Sequence, residues 1–83
     1  MTDKEIQNRL LRLRSKYLLF EVRRKEPEPF FVIVTNRHGH QLGQIDYSLC
    51  WRQYVLSPYP DTMWSADCLN DVIVAMTLLK KVG

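Results

Sequence analysis

The chain carries helix-type apolar spacing at both ends and strand-type patterns between them. At the N-terminal end the apolar positions are spaced four and three, which is the period of an amphipathic helix, and they comprise Ile6, Leu10 and Leu13. Thr2, followed three residues later by Glu5, matches a capping box. Together these features predict a helix over residues 3–15.

Between the two ends, four short segments alternate apolar and polar side chains or are continuously apolar, as β-strands do. They are residues 17–24, 30–35, 42–48 and 51–57. Pro27 and Pro29 lack the N–H groups that a strand needs, so they predict a connection after the first segment. Gly39 suits a hairpin loop that needs a positive φ, and Gly43 predicts a bulge in the third strand.

The C-terminal part of the chain predicts a second, longer helix. Ser65 is a favourable N-cap, and Asp67 places a negative charge in the first turn, where the helix dipole favours it. The apolar stripe that follows comprises Leu69, Val72, Ile73, Met76 and Leu79. The stripe predicts that Leu69 is buried, and the fourth strand predicts the same for Trp51.

This order of elements predicts one domain over residues 1–83 with an α+β fold. A four-stranded antiparallel meander is flanked by an N-terminal and a C-terminal helix, in the order α-β-β-β-β-α. The second strand is apolar on both faces, which favours a central strand covered on both sides. Two arrangements stay open. If the helices lie on opposite faces of the sheet, the excess apolar side chains form the core. If the helices share one face, the other face has exposed aromatic residues that invite a partner.

Composition and charge narrow the class of protein. The 83 residues include 46% hydrophobic and 25% charged ones, which is typical of a soluble globular protein and excludes disorder. The net charge is +3, and the first forty residues carry nine Lys or Arg against five Asp or Glu. There is neither an apolar run of membrane-spanning length nor a signal peptide, so we expect a cytoplasmic protein with free thiols. The spacing alone leaves a disulfide between Cys50 and Cys68 open.

Four side chains suggest a zinc site, namely His38, His40, Cys50 and Cys68. Their spacing matches no standard finger or ribbon. The favoured interpretation is two exposed loop histidines, Cys50 in the core and Cys68 as a buried filler in the first turn of the helix. Cys68 has no histidine base near it in the pattern, and the chain has no Gly-rich phosphate loop. We therefore predict no catalytic residue, no cofactor and no metal, and a protein that is not an enzyme.

Nucleic-acid binding is the alternative function. The basic N-terminal segment and the residues after the first strand offer five cations for phosphates, namely Arg9, Arg12, Arg14, Arg23 and Arg24. Tyr54 and Phe31 on the sheet could stack on bases. The spacing of neither set matches a known nucleic-acid-binding module. The favoured interpretation is that the arginines form a solvated helix face and that the aromatic residues belong to the core.

Aromatic residues near the fourth strand are the candidates for binding a partner protein. Tyr59 lies between two prolines that fix the backbone, so its ring is held in place at little entropic cost. We predict that Tyr59 is at least partly exposed and, with Trp64, contributes to a partner or self-association surface. The alternative is that Tyr59 folds back over the end of the sheet. Tyr54 and Phe31 are further candidates, and the partner is a host protein or a second copy of the chain.

The second half of the chain carries a set of aromatic and turn motifs. They are the segments Gly43–Tyr47, Trp51–Pro58, Thr62–Ser65 and Cys68–Val72. These motifs resemble those of small bacteriophage and prophage proteins, in which a G-x-I strand leads to a W-R-Q-Y-x-F-x-P strand and a C-L-x-D-I helix. Leu56 departs from that pattern by replacing an aromatic residue. The resemblance covers about the last forty residues and implies phage origin and action in the bacterial host cytoplasm. It also implies binding of a host protein, for example as an anti-CRISPR-like inhibitor of host defence.

Overall fold

Two helices and a four-stranded meander follow one another in the order α-β-β-β-β-α, as predicted. The computed structural model describes residues 2–24 and 29–82. The elements are α1 (Asp3–Leu11), β1 (Leu18–Arg23), β2 (Phe31–Asn36), β3 (Gln41–Ser48), β4 (Gln53–Pro58) and α2 (Ala66–Val82). The α+β fold is therefore confirmed. The predicted proline connection lies mostly outside the described residues.

The sheet is antiparallel, and each strand pairs with its neighbour in sequence, in the order β1-β2-β3-β4. The β2–β3 hairpin is closed by the side-chain oxygen of Asn36, which accepts hydrogen bonds from the backbone N–H groups of His38 and His40. Gly39 has φ +89° in that loop, as its position predicted. The register between β2 and β3 shifts beside Gly43 and leaves Leu42 without a pairing partner on β2, which confirms the predicted bulge.

Local capping fixes where the helices begin and end. Thr2 Oγ1 accepts a hydrogen bond from Glu5 N at 3.2 Å, and Ser65 Oγ accepts one from Cys68 N at 3.1 Å, so both predicted N-caps are confirmed. The predicted end of α1 is wrong, because the helix ends at Leu11 and not near residue 15. Arg14 has φ +49°, a left-handed conformation that an α-helix cannot contain.

Both helices pack on the same face of the sheet. The buried core joins Ile6 and Leu10 of α1 with residues of α2 and of alternate strand positions, namely Leu18, Phe20, Val32, Val34, Ile45, Val72, Ala75 and Leu79. Side chains alternate along strands, so Leu19 and Ile33 lie on the opposite face. That face carries no helix, but Ile33 is only 4% exposed, so the expectation that β2 is covered on both sides is confirmed at Ile33.

Two predicted core residues are on the surface. Trp51 is 71% exposed and Leu69 is 43% exposed, so both expectations are wrong. Trp51 lies in the turn before β4, where strand alternation does not apply. The buried stripe of α2 is rotated by one position from the predicted one, since it runs through half-buried Cys68 to Val72 and Ala75. The small side chains of Cys68 and Ala75 allow the helix to approach the sheet on that side.

Ser15 joins both ends of the chain. It is buried, and its hydroxyl donates to Asp71 Oδ2 of α2 at 2.5 Å and accepts from Leu18 N at 3.1 Å. The carbonyl oxygen of Ser15 accepts a hydrogen bond from the Arg37 guanidinium. This junction could not be predicted from the sequence, because Asp71 has the appearance of an ordinary charge near a helix start.

We expect Ser15→Ala to lower the free energy of unfolding by about 1–3 kcal/mol, because it leaves the buried Leu18 N–H without its partner. Urea titration measures this loss. Ser57→Ala is the control, because Ser57 is exposed on β4 and its loss should change stability by less than about 0.5 kcal/mol. Equal effects of the two substitutions would contradict a structural role for the Ser15 hydroxyl.

Candidate functional site

Exposed apolar side chains occur on α2 and on the turn between β3 and β4, as well as at scattered positions such as Met63. In the turn, Leu49 is 84% exposed and Trp51, as noted, is largely exposed. On α2, Ile73 is 56% exposed, and Val74 is also exposed. Isolated exposed apolar residues are normal, but a cluster beside a concave surface is a feature of binding sites.

The first concave surface, the hairpin groove, lies between the β3–β4 hairpin and α2. Its volume is about 590 Å³, and its lining residues are Tyr47, Arg52, Gln53, Tyr54, Ile73, Met76, Thr77 and Lys80. The rings of Tyr47 and Tyr54 meet edge to face with centroids 5.4 Å apart, and Phe30 lies 6.0 Å beyond Tyr54. Such contacts fix the orientation of both tyrosines.

Burial in the hairpin groove raises the pKa of Tyr54 above its ordinary value of 10.0, and the neighbouring Tyr47 raises it further. The phenol of Tyr54 therefore stays neutral throughout the physiological pH range. The charge of this groove comes from Arg52 and Lys80. Arg52 has φ +53°, so the turn holds its backbone in a conformation that few non-glycine residues adopt.

The second concave surface, the interhelix groove, lies between α1 and α2. Its volume is about 380 Å³, and its lining residues are Arg9, Leu13, Ile73, Val74, Thr77, Leu78 and Lys81. The floor is apolar, and the two cations come from different helices. This combination suits a ligand that is apolar along its length and negatively charged at its sides.

The two grooves share Ile73 and Thr77, which form a ridge along α2. We call the ridge with both grooves the α2 surface. It carries four cations, namely Arg9, Arg52, Lys80 and Lys81, and among the described residues no Asp or Glu lines either groove. Thr77 Oγ1 donates to the Ile73 carbonyl oxygen at 2.8 Å, so its hydroxyl hydrogen is used within the helix. The α2 surface can bind apolar and anionic groups, but its lining holds no nucleophile paired with a base.

The predicted partner-binding residues do not form one surface. Tyr54 lines the hairpin groove, whereas half-buried Phe31 lies on the helix-free face of the sheet. Tyr59 is partly exposed, as predicted, but its hydroxyl donates to Gln44 Oε1 at 3.0 Å, so the ring folds back on the sheet. The part that these side chains play in binding stays a prediction.

Trp64, the fourth candidate, is partly buried against the core. Its indole N–H donates to Thr62 Oγ1 at 3.0 Å, and Thr62 Oγ1 donates in turn to the Tyr59 carbonyl oxygen at 2.7 Å. These bonds order the segment between β4 and α2. The structure therefore gives Trp64 a packing role, and it is less available to a partner than Trp51.

The five arginines of the nucleic-acid hypothesis are divided among different environments. Arg23 pairs with Glu21 at 3.1 Å, and Arg24 makes two hydrogen bonds to Asp3 that hold the pKa of this carboxyl below its ordinary value. Arg9 lines the interhelix groove, whereas Arg14 lies at a shallow hollow that also contains Asp67 and Asp71. Arg12 follows the last residue of α1. The arginines therefore do not share one phosphate-binding surface.

The cysteines and histidines are not assembled into a site. Both cysteines are free thiols; Cys50 is exposed in the β3–β4 turn, so its predicted core position is wrong, and Cys68 is half-buried. Within residues 2–24 and 29–82, no three His, Cys, Asp or Glu side chains are grouped so as to hold a metal ion. Neither described helix is long and apolar enough to cross a bilayer.

Among the residues that form the α2 surface, Tyr54 and Arg9 were candidates from the sequence, whereas Ile73, Lys80 and Lys81 were not. Lys80 and Lys81 looked like ordinary cations at a helix C-terminus, and Ile73 looked like core. One signal could have found the surface: three consecutive apolar residues, Val72, Ile73 and Val74, cannot all face the sheet from a helix of 3.6 residues per turn.

Comparison with known proteins identifies no relative of this chain. No protein-family model matches the chain, and neither the curated proteins nor the solved structures contain a match.

Proposed function

We propose that this protein is a non-enzymatic binding protein whose α2 surface docks on another protein. The observation that carries the proposal is the pair of grooves that share Ile73. Each is lined by apolar or aromatic side chains and two cations, and no described lining residue is acidic. The largely exposed Trp51 adjoins the hairpin groove in sequence, and tryptophan is enriched among the residues that dominate binding energy.

The likeness of the second half of the chain to phage proteins gives the proposal its biological setting. In that setting the protein is a phage or prophage accessory protein that acts in the host cytoplasm. Its partner is a host protein, and the binding inhibits a host function such as defence. A protein partner is favoured over nucleic acid because the four cations line the grooves together with apolar and aromatic side chains, whereas phosphate-binding surfaces present closely spaced cations along a backbone path.

The test is capture of a host protein from a nuclease-treated bacterial lysate by the tagged chain. We expect Ile73→Glu to abolish capture, because it removes the apolar contact that the two grooves share and forces a carboxylate to be desolvated in the interface. Leu11→Glu is the matched control, since Leu11 is 57% exposed on α1 and lines neither groove. Circular dichroism and thermal melting verify that both variants fold.

Capture that depends on Ile73 and not on Leu11 supports the proposal. Capture that is lost in both variants, although both fold, would show non-specific hydrophobic adhesion. Capture that survives Ile73→Glu places the binding site elsewhere. Loss of every captured protein on nuclease treatment would favour nucleic-acid binding.

A further inference from the structure

The interhelix groove presents charged as well as apolar side chains to its occupant. Leu13, just after α1, and Leu78 of α2 line it together with exposed Val74 and Ile73. Arg9 supplies a cation from one helix and Lys81 supplies a cation from the other. The groove is therefore lined mainly by apolar side chains and by one cation from each helix.

We infer that this groove binds an acidic amphipathic α-helix of the partner protein. The inference rests on the proposed protein-binding function and names the segment that the groove recognises. A furrow between two packed helices fits a third helix, whose side chains at i, i+3, i+4 and i+7 enter the groove. Carboxylates beside that apolar stripe would then lie opposite Arg9 and Lys81 and form ion pairs at the rim.

The length of the groove agrees with a helical occupant. Its lining residues on α2 run from Ile73 to Lys81, about 12 Å along the helix, which matches about two turns of a second helix. Exposed ion pairs each contribute little to affinity, so the apolar floor supplies most of the binding, and the charges select among amphipathic helices.

A second copy of the chain is a poorer occupant. In a two-fold symmetric pair, the same surface faces itself, so Arg9 and Lys81 of one copy would approach the cations of the other. No acidic residue among those lining the grooves is present to offset that repulsion. The charge pattern therefore selects a partner of opposite charge.

Two synthetic peptides test the inference. Both are about 15 residues long with leucine at i, i+3, i+4 and i+7; one carries glutamate and the other lysine beside the leucines. Fluorescence anisotropy with the full chain measures their affinities at low and at physiological ionic strength. We expect the glutamate peptide to bind about tenfold more tightly at low salt, and the difference to shrink as salt screens the rim charges.

Charge reversal at the rim locates the effect. We expect Arg9→Glu combined with Lys81→Glu to invert the preference, so that the lysine peptide binds more tightly. Lys4→Glu combined with Arg12→Glu is the control, because it changes the net charge equally at exposed residues that do not line the groove. Inversion in the first variant alone supports the inference.

Three outcomes would overturn the inference. They are no binding of the glutamate peptide, equal binding of both peptides at low salt, and equal inversion by the control variant, which would show that net charge alone sets the preference. Concentration-dependent self-association that the Arg9 and Lys81 reversal abolishes would identify a second copy as the occupant instead. The proposed function is tested separately, by whether Ile73→Glu abolishes capture of a host protein.

Discussion

Leu79→Ala is expected to lower the free energy of unfolding by about 2–5 kcal/mol. Leu79 is fully buried on α2 and packs in the one core that both helices share with the sheet. The substitution loses the transfer free energy of the deleted methyl groups and leaves a cavity. Domains of this size are only marginally stable, so the loss is a large part of the total. Urea titration followed by circular dichroism measures it.

Leu69→Ala is the matched control for this prediction. It deletes the same atoms from the same helix, but Leu69 is substantially exposed. We expect a loss of less than about 1 kcal/mol. If the two variants lost similar stability, α2 would be rotated about its axis relative to the structure, and the α2 surface would have to be redrawn.

Gly43→Ala is expected to destabilise the sheet by about 1–3 kcal/mol. A methyl group at this position would lie 2.9 Å from the carbonyl oxygen of Ser57 and 3.1 Å from Cα of Pro58, and both atoms belong to the backbone of β4. It would also lie 3.3 Å from the Trp64 ring. Because backbone atoms cannot rotate away, β3 and β4 must separate or shift. Urea titration measures the loss, and near-ultraviolet circular dichroism reports the displacement of Trp64.

Gly39→Asn is the control for Gly43→Ala. Gly39 has a positive φ in the β2–β3 loop, and no atom lies within 4 Å of the place where a Cβ would stand. Asparagine tolerates left-handed backbone conformations, so we expect a loss below about 1 kcal/mol and an unchanged aromatic signal. A Gly43 variant as stable as the Gly39 variant would show that the close approach of β4 is not required.

The sequence was most informative where one local rule decides the structure. Both N-caps, the hairpin at Gly39 and the bulge at Gly43 depend on residues close in sequence, and their positions were predicted correctly. The rotation of α2 about its axis was not predicted correctly. The apolar residues between Leu69 and Leu79 cover a wide part of the helix surface, so the helix could pack on the sheet in more than one orientation. Small Cys68 and Ala75 decide which orientation packs best, and that depends on the sheet opposite.

The candidate site was harder to predict than the fold for a related reason. Arg9 and Lys81 are 72 positions apart in the sequence, and only the packing of the two helices brings them to one groove. Local patterns instead favoured Trp64 and Tyr59, of which Tyr59 lies between two prolines. In the structure the Tyr59 hydroxyl donates to Gln44 of β3 and the Trp64 indole N–H donates to Thr62, so both side chains help to hold the segment between β4 and α2.

The bond between Ser15 and Asp71 also bears on the order in which the molecule folds. It joins residues 56 positions apart, whereas each strand pairs with its neighbour in sequence. A contact between distant residues forms only at the entropic cost of closing a long loop. We therefore expect the hairpins to form before α1 meets α2. Interactions that form after the transition state slow unfolding without speeding folding. We therefore expect the junction at Ser15 to slow unfolding and the hairpins to set the rate of folding.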